Sequence, residues 1–136
     1  MRVLFIDADG VLHPEPPRSG FHRLCWLPHL VELLAPYPDV RVVVHSSWRL
    51  DMPQDYIARL MAPLGAQYAG VTKGAGREAS IRAWLKESAE KVRSYRVLDD
   101  MPREFREGWT ELIICPSREG LTHPGVQAKL RDWLQN

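Results

Sequence analysis

Cysteine is scarce in this chain: Cys25 and Cys115 are the only two among 136 residues. They lack the spacing of a thiolate metal centre, and two residues cannot make a disulfide framework, so both read as reduced thiols, buried or half-buried, in a cytosolic protein. Net charge is almost as scarce. Eighteen Lys and Arg stand against 17 Asp and Glu, for a formal charge of +1. That balance excludes a global attraction to nucleic acid or to an anionic membrane surface, and any such binding must come from a local patch. No segment approaches the roughly 18 apolar residues of a membrane span. The N-terminal apolar run is broken at Asp7, which argues against a signal peptide and for a cytoplasmic protein. Repeats, low-complexity tracts and linkers are missing too. What is present is 45% apolar and 26% charged residues, the profile of one folded domain over residues 1–136, with chain enough for a core.

Strand and helix periods alternate along it. Arg2 to Ile6 is an apolar run of strand type, followed by the proline-rich stretch Leu12 to Phe21. Trp26, Leu27, Leu30, Val31 and Leu34 repeat at helical spacing and end before Pro36 and Pro38. Val40 to Val44 reads as a fully buried strand. Tyr56, Ile57, Leu60, Met61 and Leu64 mark a second helix that stops at Gly65, and a short strand is expected near Gln67 to Val71. Ile81, Trp84 and Leu85 mark a third helix, Tyr95 to Leu98 and Glu111 to Cys115 two more strands, and Val126, Leu130, Trp133 and Leu134 a final helix begun near Pro124. Such alternation predicts an α/β fold, a three-layer Rossmann-like sandwich on a five-stranded, mostly parallel sheet.

The chemistry collects at strand ends. The first strand runs into Asp7-Ala8-Asp9-Gly10-Val11-Leu12, and the strand at Tyr95 runs into Asp99-Asp100. A core strand has no structural use for paired carboxylates. Two strands that both deliver them make a site for a hard divalent cation, because Mg²⁺ takes oxygen ligands. An isolated turn would not explain the second pair, and an EF-hand loop needs further acidic positions that Leu12 to Glu15 do not supply. Ser46-Ser47 follows a third strand, and ligands of open parallel sheets sit outside such carboxyl ends.

These residues carry a resemblance. Asp7-x-Asp9-Gly10-Val11-Leu12 resembles the first motif of haloacid dehalogenase-like (HAD) hydrolases, Val42-Val43-Val44-His45-Ser46 their second, and Val97-Leu98-Asp99-Asp100 their fourth. The third is a basic residue, either Lys73 in the glycine-rich loop or Arg77, which lies nearer the family's usual distance from Asp99. Ser46-Ser47-Trp48-Arg49, Trp84-Leu85 and Gly120-Leu121-Thr122 further resemble a small capless branch associated with RNA-repair proteins.

The resemblance implies a Mg²⁺-dependent phosphatase. Asp7 would attack phosphorus and form an aspartyl-phosphate that water then hydrolyses. Asp9 would protonate the leaving group and then activate water, with its main-chain carbonyl on the metal. Asp7 and Asp99 would hold the metal directly, and Asp100 through water or at greater distance. Ser46, Ser47 and one of Lys73 and Arg77 would hold the phosphate. Trp48 reads first as a packing residue and second as a substrate platform. Arg49 either holds phosphate or pairs with Asp51. His13 and His45 read as satisfied loop and strand-end histidines, with His13, like Trp48 and Arg49, kept as a candidate substrate contact. Trp26, Trp84, Trp109 and Trp133 read as core and helix-face residues. Neither Leu12 to Phe21 nor Met61 to Lys73 can form a cap domain, so the site should stand open. It should then suit a phosphate projecting from a bulky surface, a nucleic-acid end or a phosphoprotein, unless a partner subunit supplies the wall. Arg18, Arg23, Arg49, Lys73 and Arg77 could form a local basic rim. The alternative from another class is a non-catalytic module that binds phosphate or nucleic-acid ends on the same scaffold.

Overall fold

The run Arg2–Ile6 (β1) is flanked on both sides by parallel strands, which is why every one of its residues is buried. A computed structural model describes residues 1–136. The other strands are Val40–Val44 (β2), Tyr68–Val71 (β3), Ser94–Asp99 (β4) and Leu112–Ile114 (β5). They form one five-stranded parallel sheet in the order β3-β2-β1-β4-β5. The Asp7, Ser46 and Asp99 strand ends are therefore neighbours, and no cap domain covers them.

Alternate residues of β1 serve two cores. Leu4 and Ile6 face the larger one, with helix Leu27–Leu34 (α1), Ile57 of helix Gln54–Leu60 and the apolar face of the helix Pro124–Gln135. Val3 and Phe5 face a smaller one, closed by Ile81 of helix Arg77–Glu87 and by Phe105. Phe5 meets Trp84 and Tyr95 edge-on, at ring separations of 5.5 and 6.0 Å, and these contacts compensate for the thinner cover on that side. The helices at Trp48–Asp51, Gln54–Leu60, Arg77–Glu87 and Pro124–Gln135 are α2 to α5 in chain order.

Two local expectations are corrected. The helix read over Tyr56 to Leu64 ends at Leu60, and 3₁₀ turns span Ala62–Gln67. Pro63 has no N–H to continue an α-helix, and Gly65 adopts φ 58°. The four-residue α2 is too short to leave a period in sequence. Arg2, read as part of an apolar run, is buried with a polar task. Its guanidinium forks onto Asp39 at 2.8 and 3.1 Å and donates to the carbonyls of Trp133 and Leu134 at the end of α5. Those hydrogen bonds from Arg2 hold the Asp39 carboxyl down at about 2. Cys25 and Cys115 are free, half-buried and buried respectively, and burial pushes both thiols up, away from the reactive thiolate.

The segment after β1 is pinned from the far end of the chain. Val11 and Leu12 donate to the Ala8 carbonyl, and Val11 in turn accepts from the Leu121 N–H at 2.9 Å. Gly120, at φ 49°, fits against this turn, where a Cβ would lie 2.6 Å from the Val11 carbonyl oxygen and 2.7 Å from the Trp26 ring. Gly120→Ala should therefore cost about 1–3 kcal/mol, the range for backbone strain at such a position. A fall in the urea midpoint with unchanged slope is the expected reading, and an unchanged midpoint would mean the turn yields freely.

Candidate active site

The carboxylates differ in setting because the chain turns sharply after β1. Asp7 leaves the strand end buried, at 2% exposure, and its Oδ1 accepts from the Ala8 N–H at 2.8 Å. Gly10 follows at φ 75°, and a Cβ there would lie 2.2 Å from Oδ2 of Asp100. Only glycine lets the Asp100 side chain lie against this turn, opposite Asp7.

Arg77, the first residue of α4, ties the cluster together. Its Nη1 donates to Oδ2 of Asp7 at 2.9 Å and to the Asp99 carboxylate at 2.8 Å. Asp99 is fully buried, and both its oxygens are engaged elsewhere as well: Oδ2 accepts from His45 Nε2 at 2.7 Å and Oδ1 from the Met101 N–H at 2.8 Å. Burial alone would raise the Asp99 carboxyl, but the bonds from His45 and Arg77 outweigh it and hold Asp99 low. Asp7 is held above the ordinary range, by burial first and by the Asp99 charge second, against the pull of Arg77, His45 and a hydrogen bond from Ser46. Asp100 is pushed up to about 7, again by burial and then by the charge of Asp7 beside it. Arg77 lies in the opposite sense: desolvation would weaken its charge, but Asp7 and Asp99 raise it further.

Oxygen atoms of Asp7, Asp99 and Asp100 approach within 4.8 Å of one another. Arg77 is the one guanidinium paired with this set, so the pocket is short of positive charge. Three hard oxygen donors with that deficit fit a divalent cation such as Mg²⁺. The two aspartates of the second pair meet different neighbours. Asp99 is committed to Arg77 and His45, whereas Asp100 turns a half-buried carboxylate toward Asp7.

Asp9 is held apart from this cluster. Its Oδ1 accepts from His13 Nε2 at 2.7 Å and its Oδ2 from Trp48 Nε1 at 3.2 Å. The tautomer follows from the other ring nitrogen: His13 Nδ1 accepts the Leu24 N–H at 3.0 Å, so Nε2 carries the proton. Leu24 takes φ 61°, unusual for a branched residue, to bring that N–H into place. His13 stacks on Trp48 with ring centroids 5.6 Å apart.

The remaining candidates separate cleanly. Ser46 is fully buried beneath Asp7, where its Oγ accepts from the Trp48 N–H at 3.2 Å, while Ser47 is exposed. Lys73 does not reach the aspartates: it is exposed and lines a separate groove with Met1, Arg41 and Trp84. Arg49 neither pairs with Asp51 nor stands free; it donates to the carbonyls of His45 and Gly74. The Trp48 and His13 bonds to Asp9, and the His45 bond to Asp99, were not foreseen. Their partners lie up to 54 residues away, and no local pattern encodes them. The one local signal was the spacing Asp9 to His13.

The sequence model of the HAD domain in Swiss Army Knife RNA repair proteins matches residues 3–126, and the chain belongs to that family. No curated protein and no solved structure gives a match.

Burial first, and the charge of Asp7 second, make an ionised Asp100 costly to the fold in the absence of a cation. A carboxyl raised to about 7 in the folded state favours its neutral form there, so its support is present below the unfolded value near 4 and is lost as pH rises through 7. Asp100→Asn should accordingly raise the melting temperature of chelated protein at pH 8, have little effect at pH 3.5, and weaken Mg²⁺ binding in calorimetry. A lower melting temperature at pH 8 would show that Asp100 is not repelled.

Proposed function

We propose that this member of the HAD domain family hydrolyses phosphomonoesters with divalent-metal assistance, by way of a phosphorylated Asp7. The carrying observation is the division of labour between two aspartates two residues apart. Asp7 is buried and paired with Arg77, and Asp9 is held separately at the open mouth by His13 and Trp48. One carboxylate set for attack and another fixed outside it is the requirement of a displacement that needs both a nucleophile and a proton donor.

The steps for this chain's own groups are as follows. A carboxylate oxygen of Asp7 attacks phosphorus, the P–O bond to the leaving alcohol breaks, and a proton from Asp9 goes to the departing oxygen. Asp9, now ionised, takes a proton from water, whose oxygen attacks the phosphorus of the aspartyl-phosphate. Inorganic phosphate leaves and Asp7 is regenerated. Arg77 steadies Asp7 and Asp99 throughout and lies close enough to share charge with a phosphate oxygen. Asp7 and Asp100 would hold Mg²⁺, with Asp99 beside them and the Asp9 main chain as a further ligand, and the ion would neutralise repulsion between carboxylate and phosphate. His13 and Trp48 hold Asp9 in one orientation, which limits the motion it needs between its two proton transfers.

The open, capless site supports a phosphate carried on a large substrate, and the family's occurrence in RNA repair proteins supports a nucleic-acid end. Purified protein should release phosphate from para-nitrophenyl phosphate with Mg²⁺ and stop with EDTA. Asp7→Asn should lower turnover by roughly 10³-fold or more while the fold survives, as expected when a group acting in the transition state is removed. Undiminished turnover in that variant, or after exhaustive chelation, would overturn this mechanism. Phosphate binding without turnover in the wild type would favour the non-catalytic module instead.

A further inference from the structure

The carboxylate of Asp9 is part of the wall of a cavity of about 310 Å³ that the phosphate chemistry does not itself require. His13, Phe21, His22, Arg23 and Trp48 line it too, so the residues that clamp Asp9 also shape this space. In an in-line displacement the nucleophile and leaving oxygen lie on opposite sides of phosphorus. If Asp9 protonates the leaving oxygen, the group next to that oxygen must lie on the cavity side.

The lining is rich in planar groups: the rings of His13, Phe21, His22 and Trp48 and the guanidinium of Arg23, with Asp9 and Glu15 as acceptors. The Arg23 guanidinium lies over the Trp48 ring, 5.4 Å from its centroid, and is steadied by a hydrogen bond from its Nη2 to the Tyr56 hydroxyl at 2.9 Å. Trp48 is thereby covered, stacked on His13 as well, but Arg23 remains exposed and presents a flat outer face. Phe21 is 39% exposed, with the Arg18 guanidinium 4.8 Å from its ring centroid. Guanidinium planes and aromatic rings are the surfaces on which unpaired bases stack. Glu15, also in the wall, is an acceptor for exocyclic or ring N–H donors. Arg18 and Arg23, exposed at the rim, suit the further phosphates of a nucleic-acid strand, which a phosphopeptide would not carry.

We infer that this cavity is a base-binding subsite, which takes the terminal nucleobase of a phosphorylated, single-stranded nucleic-acid end. The inference rests on the phosphatase reading for its orientation, and it adds a requirement that reading lacks: the last base must be unpaired. A base locked in a terminal pair is held in the helical stack by its partner and is not free to turn into this cavity. The capless mouth admits the strand, and the subsite supplies the selectivity that a cap would otherwise give.

The test uses oligonucleotides with a 3′- or 5′-terminal phosphate in three forms: a single strand with its terminal base, the same strand with an abasic terminal nucleotide, and a blunt duplex. With Mg²⁺ and wild-type protein, the base-bearing single strand should exceed both others by about tenfold in kcat/KM, within the range that stacking one base provides. Phe21→Ala combined with Arg23→Ala should shrink that ratio to near one. A binding arm measures fluorescence anisotropy of the same strands on Asp7→Asn protein, where a similar difference in Kd is expected. Equal turnover and equal binding of abasic and base-bearing ends would overturn the subsite, as would a phosphotyrosine peptide outcompeting every strand. Base-dependent binding with no turnover of any phosphomonoester would support the subsite and overturn the phosphatase reading.

Discussion

The arrangement depends on one guanidinium that joins the ends of two strands, β1 and β4. Asp7 and Asp99 are both buried, and two carboxylates in such a position repel each other unless something stands between them. Arg77 does so, with short bonds to each. An Arg can serve here where a Lys would serve less well, because its planar head stays charged and offers several donors to several oxygens at once. The start of α4 is fixed by this constraint: Gly76, at φ 81°, turns the chain so that the first helical residue points back into the site. Asp99 is then the junction between Arg77 and His45, and through its Oδ1 it orders the Met101 backbone leaving β4.

Much of the same logic separates Asp7 from Asp9. A strand alternates its side chains, so residues two apart would share a face and an environment if β1 continued. It does not continue. The Ala8 to Leu12 turn breaks the alternation, burying one carboxylate and leaving the other partly open. The neighbours then differ in kind: a cation and buried acids for Asp7, two neutral N–H donors for Asp9.

The sheet was legible because its strands are consecutive apolar runs, and a βαβ alternation leaves few topologies to choose between. The strand order, with β1 at the centre, comes from the structure, and it brings the Asp7, Ser46 and Asp99 ends together. The site was legible in its carboxylates and less so in what holds them. Lys73 and Arg77 are four residues apart in one loop-to-helix segment, and only the direction in which the helix begins decides that Arg77 reaches inward. His45 was read as an ordinary histidine because nothing near it in sequence names Asp99, 54 residues away, as its partner, and His13 because a four-residue spacing from Asp9 does not by itself specify a bond. The different surroundings of Asp99 and Asp100 were hidden for a similar reason. Adjacent acids look equivalent until the His45 bond claims one and the Gly10 turn receives the other.

Arg2 and Gly120 bind β1 and its turn to later parts of the chain, Arg2 at the start of the strand and Gly120 at the turn beside the site. The guanidinium at position 2 ties down the carbonyls of Trp133 and Leu134, and the turn after β1 waits for the Leu121 N–H. β1 precedes the other elements of this domain, yet its set of partners is complete only when α5 is in place. β1 can pair with β2 early, but β4 closes its other edge only after much more chain has emerged, and the clasp on the Val11 carbonyl later still. Long-range pairing of that kind slows folding and leaves apolar strand edges uncovered meanwhile. A stretch of this chain ending before Gly120 would hold all five strands and their acidic ends without the clasp that shapes the turn beside them.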